Sequence, residues 1–302
     1  MTTAPDADDG LVGRAGAEIA RWLAEPPAAG LYIVATPIGN LGDITLRALA
    51  TLANADLICC EDTRHSRTLL AHFGINRPLR AYHEHNAETE RPHILRLIGD
   101  GRAVALISDA GTPLVSDPGY KLVRAVVEAG HQVHALPGAS AVLSALAIGA
   151  LPTDAFLFAG FLPNKEGQRR TRLEKLAHVP ATLVLFEAPG RVVGLLGDIA
   201  TVLGDREVVV ARELTKRFEE VRRGTATEMA VTFGDRDIKG EIVVLVAPPA
   251  VRTVSDADIA LALDEALATL SLRDAARQVA ESLVVSRSRV YDLGLKVRAG
   301  KA

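Results

Sequence analysis

Asp109 stands in a run of small, turn-forming residues, Ile107-Ser108-Asp109-Ala110-Gly111-Thr112-Pro113, directly behind five apolar residues from Ala103 to Ile107. A carboxylate framed in this way is chemistry for holding a polar ligand. It accepts strongly from a cation or hydroxyl, and a glycine lets the neighbouring backbone approach closely. Just beyond, Asp117 and Pro118 read as the cap and first residue of a helix, which leaves the crowding of Asp109, Gly111 and Pro113 unexplained. Two more carboxylates and a cation, Glu61-Asp62-Thr63-Arg64, follow another apolar run. A carboxylate beside a hydroxyl can take its proton, although Asp62 or Thr63 could equally cap the helix containing Leu69 and Leu70. Neither a Ser-His-Asp nor a Cys-His set is legible. Cys59 and Cys60, adjacent in an apolar run, point to opposite sides of a strand and so form neither a disulfide nor a metal pair. His83 and His85, with Glu84 between them, come nearest to a ligand pattern and read instead as solvated or hydrogen-bonded histidines, so no metal is expected.

The elements that must position these residues follow from the apolar pattern. Leu31 to Ala35, Leu57 to Glu61, Ala103 to Ser108 and Gln132 to Leu136 read as buried strands, and helical spacing recurs between them at Leu46, Leu49 and Leu52 and at Leu122, Val123 and Val126. Short apolar strands separated by helices predict a mostly parallel sheet covered on both faces, in a domain spanning 30–151. Phe156 to Phe161, Thr182 to Glu187, Glu207 to Leu214 and Glu241 to Ala247 form a second set, and Phe218 to Val221 has the look of a hairpin partner. Fewer helices separate these, which predicts a mixed sheet over 152–249. Ala- and Leu-rich segments at 255–269, 272–281 and 286–298 predict a helix-turn-helix type module over 253–302. The fold class is α/β, two α/β domains with a small helical module, behind a lead of 29 residues expected to be mobile.

A parallel sheet places all its strand carboxyl ends on one side, so the loops after these strands converge on one cleft. Thr36 to Asp43 and Leu136 to Ala141 join the two loops already described. The glycines of 36–43 match neither a dinucleotide fingerprint nor a phosphate-cradling loop, which argues against a nicotinamide or ATP cofactor. The net charge of −3 is accounted for by the lead, where five acids face Arg14 and Arg21. The rest is neutral with basic clusters: Lys165, Arg169, Arg170, Arg172 and Lys175 near the start of the second half, and five bases against Asp292 over 286–302. Such patches can bind a polyanion whatever the overall sign, since the potential decays over roughly 8 Å, though each alone also fits a solvated helix face. No apolar stretch approaches the about 20 residues that span a bilayer, and a cytoplasmic protein without membrane partners is expected.

Leu31 through Thr45, Glu61-Asp62-Thr63-Arg64-His65, the loop at 107–113, Leu136-Pro137-Gly138, Gly160-Phe161-Leu162-Pro163, Ala211 through Lys216 and Lys239-Gly240-Glu241 occur in this order. Together they resemble the tetrapyrrole methylase superfamily and, within it, the ribosomal RNA small subunit methyltransferase I family, over about 31–247. The chain departs from the pattern at Ala35, where a proline is often found. The resemblance implies two α/β domains with S-adenosylmethionine folded between them, against Pro37, Asp109, Ala110, Gly111, Thr112, Ser140, Ala141, Phe186, Glu187, Ala211 and Gly240. It implies methylation of the ribose 2'-oxygen of a decoding-centre cytidine in 16S ribosomal RNA of the small ribosomal subunit, by a protein that is usually a homodimer. Glu61 or Asp62 is the base expected to take the hydroxyl proton, with Lys216 and Glu241 as further participants. Arg64, Lys165, Arg169, Arg170, Lys216 and Arg217 are expected to contact RNA. A tetrapyrrole- or protein-modifying methyltransferase of the same fold is the near alternative, and a non-catalytic RNA-binding regulator the distant one.

Overall fold

Alternation along the strands builds the first half of the chain in the computed structural model, which describes residues 10–116, 119–234, 236–250 and 255–299. In chain order the first half carries α1 (Leu11–Ala24), β1 (Gly30–Val34), α2 (Leu46–Asn54), β2 (Leu57–Cys60), α3 (Thr63–His72), β3 (Leu79–Ala81), α4 (Ala87–Gly99), β4 (Ala103–Ile107), α5 (Tyr120–Glu128), β5 (Val133–Leu136) and α6 (Ala141–Gly149). The strands pair in parallel in the order β3-β2-β4-β1-β5. Because successive side chains leave opposite faces, Leu31, Ile33, Val104 and Leu106 pack with Ile94 and Ile98 of α4 and with Leu122 and Val126 of α5. Their neighbours Tyr32, Val34, Ala105 and Ile107 pack on the other face with Ala48 and Leu52 of α2 and Leu70 of α3. Both faces are dry, which is why β1 and β4 are apolar throughout.

The second half carries β6 (Phe156–Phe161), α7 (Glu166–Leu176), β7 (Thr182–Glu187), α8 (Val192–Leu203), β8 (Glu207–Arg212), β9 (Glu220–Thr225), α9 (Ala226–Gly234) and β10 (Ile242–Val246). Its order is β6-β7-β10-β8-β9, with β6-β7 parallel and the other pairs antiparallel, the mixed sheet that the sparse helices predict. α7, α8 and α9 cover one face. The other face receives α6: Val142, Ala145 and Leu146 pack with Val184, Val209, Val243 and Leu245. Gly149 makes this join close, since a Cβ there would lie 2.4 Å from the Leu245 side chain. The helix that follows β5 thus fastens the two sheets to each other, and both belong to one compact unit ending at Pro249.

Two departures from the sequence reading have local causes, and one expectation falls outside the described residues. Residues 11–24, expected to be mobile, form α1, with Asn54 Nδ2 of α2 donating to the Leu23 carbonyl at 3.0 Å. β3 is a three-residue edge strand with too few apolar residues to register as a pattern. The cap proposed at Asp117-Pro118 lies outside the described residues, and α5 opens at Tyr120 behind Gly119.

The remaining unit, from Ala250, contains α10 (Asp256–Leu267), α11 (Leu272–Leu283) and α12 (Arg287–Ala299) around Ile259, Leu263, Ala276, Val279 and Val290. Ser255 opens α10 with a reciprocal capping box to Asp258, and Ser271 caps α11 through the Asp274 amide. Among the described residues no helix is long and apolar enough to cross a membrane.

Glu220 clamps the edge strand β9. Its carboxylate accepts from Arg236 (2.9 and 3.0 Å), Arg222 (2.8 Å) and Arg212 (3.2 Å). The Arg236 hydrogen bonds above all pull its pKa from an ordinary 4.5 to about 2. A depressed carboxylate stabilises the fold fully above its unfolded value, and that contribution is lost as pH falls through the folded one. Glu220→Gln should therefore cost about 1–3 kcal/mol at pH 7, with the gap from the parent protein closing as pH falls through about 4.5 toward 2 in denaturant titrations. A gap that does not change with pH would mean the clamp acts through packing.

Candidate functional site: a cleft between the two sheets

The loop after β4 is fixed by its own backbone. Thr36 and Gly111 exchange N–H···O bonds at 2.9 and 3.0 Å, and Ser108 Oγ donates to the Gly111 carbonyl at 2.9 Å. Gly111 has φ +82°, and a Cβ there would press on Ile38 at 3.2 Å, so only glycine fits without strain. Thr112 Oγ1 reaches the Ala139 carbonyl at 3.3 Å, tying this loop to the one after β5. Half-buried Asp109 accepts the Asp62 amide at 3.3 Å, tying it to the loop after β2. Four strand ends of the first sheet, those of β1, β2, β4 and β5, are thus stitched edge to edge.

They face a cleft of about 470 Å³, whose opposite wall comes from the ends of β6 and β7, from β10 and from the two residues before β10, a size in the range of small-molecule sites. Of the residues expected to contact a cofactor, Asp109, Ala110, Gly111 and Thr112 line it, as do Ser140, Ala141, Phe186, Glu187 and Gly240. Pro37 and Ala211 do not. Pro37 is buried beside the Thr36–Gly111 bridge, and Ala211, on β8, fills the core beneath α6. A second cavity, of about 510 Å³ and lined by Trp22, Tyr32, Arg47 and His134, shares no residue with the cleft.

Glu187, at the end of β7, is 2% exposed. One carboxylate oxygen accepts the Ala188 amide at 2.7 Å and pairs with Arg191, while Oε2 is buried with no partner among the described residues. A buried polar atom in that state calls for a donor, and one brought by a ligand in the cleft would complete it. Of the apolar wall, Phe186 is among the contacts expected from sequence, and Phe161 is not. Phe158 and Phe161, three residues apart on β6, would face opposite sides of a regular strand, but the ladder shifts register at Gly160 (φ +64°). Both rings therefore meet Phe186, with centroids at 4.9 and 5.6 Å, and Phe161 is left 58% exposed. The glycine between the two phenylalanines was the available signal.

The two expected bases separate. Asp62 caps α3, accepting the Arg64 amide at 2.8 Å, and its other oxygen pairs with the Arg64 guanidinium at 3.0 Å. The hydrogen bonds from Arg64 hold its pKa down to about 2, which makes it a cap and a poor proton acceptor. Glu61 is exposed, lines the cleft, and makes no hydrogen bond or ion pair among the described residues.

One of the expected RNA contacts, Arg169, is corrected, and others are engaged in ion pairs. Arg169 is 7% exposed, with Nε 2.6 Å from Asp198. Arg170 bonds the same carboxylate at 2.7 Å and pairs with Glu166. The run over 162–175 is amphipathic: Arg169 shares the buried face of α7 with Leu173 and Leu176, and a phosphate could reach it only by breaking a buried ion pair. Lys216 is held by Glu213 at 2.9 Å and Glu241 at 3.3 Å. Arg64 is 88% exposed on its side chain despite its pairing, Lys165 is exposed, and Arg217 lies 5.6 Å from the Phe218 ring centroid. Among the described residues no group of three or more His, Cys, Asp or Glu gathers to hold a metal ion.

Two fastened sheets enclosing a cleft at strand carboxyl ends define a class, and residues 30–230 match the family model of the Tetrapyrrole (Corrin/Porphyrin) Methylases. The chain belongs to that family and, within it, to the ribosomal RNA small subunit methyltransferase I group. It is 51% identical to ribosomal RNA small subunit methyltransferase I of Mesorhizobium japonicum over 89% of this chain and 92% of that protein. To the protein of the same name from Pseudomonas aeruginosa it is 44% identical, over 91% and 99%. Among solved structures, diphthine synthase superposes with TM-score 0.56 at 15% identity, covering 72% of this chain and 89% of that one. Uroporphyrin-III C-methyltransferase from Thermus thermophilus, solved in complex with S-adenosyl homocysteine, superposes with TM-score 0.50 at 21% identity, covering 72% and 97%. These structural likenesses speak to the fold.

Proposed function

We propose that the protein transfers a methyl group from S-adenosylmethionine to the ribose 2'-oxygen of a cytidine in 16S ribosomal RNA of the small ribosomal subunit. One observation carries the reading: a cleft of ligand size holds the unpartnered oxygen of Glu187 and the uncommitted carboxylate of Glu61, in a chain about half identical to ribosomal RNA small subunit methyltransferase I. The donor would rest on Asp109 through Thr112, Ser140, Ala141 and Gly240, its rings toward Phe161 and Phe186, with Glu187 Oε2 accepting from one of its N–H or O–H groups. When bound, S-adenosylmethionine supplies a methyl carbon on a sulfonium, and the electron pair of the breaking carbon–sulfur bond stays on sulfur.

The chain's own part is positioning and proton transfer. Holding acceptor oxygen and methyl carbon in line at about 3–3.5 Å can lower the barrier by roughly 7–11 kcal/mol, which favours the stitched, strain-tolerant loop geometry around Gly111 over a mobile one. Glu61, at the open side of the cleft, takes the hydroxyl proton as the bond forms. Arg64, Lys165 and Arg217 meet phosphates as point charges that fix the RNA without reading its sequence. Pairing of two copies, as the family resemblance implies, would complete the partner set.

The assay that tests the reading offers labelled S-adenosylmethionine with small ribosomal subunits, with a tetrapyrrole precursor and with bulk protein. The expected result is label in ribosomal RNA only, in a nucleotide resistant to alkaline cleavage because its 2'-oxygen is blocked. Label in the tetrapyrrole or protein, or in none, would overturn it.

A further inference from the structure

The segment that follows β8 is built at a conformational cost. Glu213 (φ +53°) and Thr215 (φ +65°) both adopt left-handed backbone without being glycine, a strain that persists only where the surroundings over-determine it. Between them Leu214 is anchored in the core beneath α6. The result is to throw the Lys216 side chain across Gly39, where a Cβ would lie 2.4 Å from its stem. Its ammonium ends 2.9 Å from Glu213 Oε1 and 3.3 Å from Glu241 Oε2. Glu213 Oε1 also accepts the Glu241 amide at 3.0 Å, in a space left free because residue 240 is glycine. Its partner Glu241 lines the cleft, as do Gly240, Glu61 and Ile38, the neighbour of Gly39, and the Lys216 side chain, 27% exposed, stands directly behind that lining.

An ammonium has three donors. Two are used here, and the third has no protein partner among the described residues. The geometry points to Lys216 as the cation that meets the acceptor ribose 2'-oxygen in the cleft, a role that rests on the reading above. Burial works against the charge, but the Glu213 hydrogen bond and the field of Glu241 outweigh it and hold the pKa above its ordinary value. Lys216 therefore donates and takes no proton. As the 2'-hydroxyl proton passes to the Glu61 carboxylate, the freed oxygen pair forms the bond to the methyl carbon. The ammonium meets the negative charge that develops on that oxygen. This differs from the phosphate contact expected from sequence, which would need a freely swinging side chain.

The alternative is a clasp that only holds the two halves together, and one comparison separates them. Binding of RNA carrying cytidine or 2'-deoxycytidine at the target position is measured for the full-length parent and for Lys216→Met. Thermal stability, affinity for S-adenosylmethionine and kcat are measured alongside. The expected result is that the parent favours the ribose form by about 3–10-fold through one charge-assisted hydrogen bond, and that Lys216→Met binds both forms alike. kcat should fall about 10²–10³-fold, with stability and cofactor affinity kept. Should Lys216→Met fail to fold, Lys216→Arg keeps both carboxylates paired while misplacing the point charge, and should lose kcat by about 10-fold or more at unchanged stability. Retained ribose discrimination with kcat within a few-fold of the parent overturns the inference, as does a loss of stability and cofactor affinity that accounts for the whole effect. If the parent itself transfers no methyl to ribosomal RNA, the functional reading and the inference fall together.

Discussion

Glu61→Gln should lower the rate of methyl transfer by about 10²–10⁴-fold, the usual range for loss of a general base. Affinity for S-adenosylmethionine and thermal stability should be unchanged. The amide keeps the shape of the side chain and removes only its capacity to take a proton. Because Glu61 makes no hydrogen bond or ion pair among the described residues, nothing structural is lost with the charge. Its neighbour is the internal control. Asp62 is committed to the α3 N-terminus and to Arg64, and asparagine caps a helix nearly as well as aspartate. Asp62→Asn should therefore stay within a few-fold of the parent in single-turnover rate. A reversal of the two phenotypes would transfer the base to Asp62, and a Glu61→Gln rate near that of the parent would leave water as the proton acceptor.

Asp198→Ala should destabilise the fold by about 3–5 kcal/mol, the range for removing one partner of a buried ion pair. That corresponds to a fall in Tm on the order of 10 °C for a unit of this size. Asp198 is 3% exposed and is the carboxylate on which Arg169 and Arg170 converge. Arg169 cannot turn to water when its partner goes: its guanidinium lies over Gly194, 3.4 Å from where a Cβ would stand. An apolar pair, Arg169→Met with Asp198→Leu, should recover a large part of the loss, since it removes both charges rather than stranding one. The comparison also settles what Arg169 does. Arg169→Met that leaves Tm unchanged but weakens RNA binding would restore it to the RNA surface, and the opposite pattern is expected.

How much could be read in advance differs between elements for reasons that are local in each case. Eight of the nine strands longer than β3 were legible because both faces of each sheet are covered and the strands carry few polar residues, while the polar edge strand β9 showed only in part, as a hairpin partner over Phe218 to Val221. β3, with Leu79, Arg80 and Ala81, has one apolar neighbour in the ladder and an open side, so its sequence carries almost no signal. α1 was hidden by an Ala- and Gly-rich composition that, beside the acids, suggested a solvated lead, although Glu18 holding Arg21 and Trp22 one turn on is a helical signature. The basic run of α7 was misjudged by counting charge. Its positions 169, 173 and 176 lie on one face, and that face is inside.

The loops of the site were legible for another reason. Turn chemistry is written in short range: Gly111 at positive φ, Ser140 capping α6 and Asp62 capping α3 each depend on a few neighbours in sequence. A parallel sheet then puts such loops on one edge without further information. The sequence by itself therefore determined the fold class and the edge of the first sheet at which the cleft opens, and nine of the eleven cofactor contacts that the family resemblance implies line that cleft. Tertiary structure alone decided which charges are free. Whether a carboxylate or a guanidinium is available depends on partners far away in the chain, as Asp198 is for Arg169 and Glu241 for Lys216, and on burial, which removes water as the alternative partner. Residue type records that a charge exists, and only packing settles what it is left to bind.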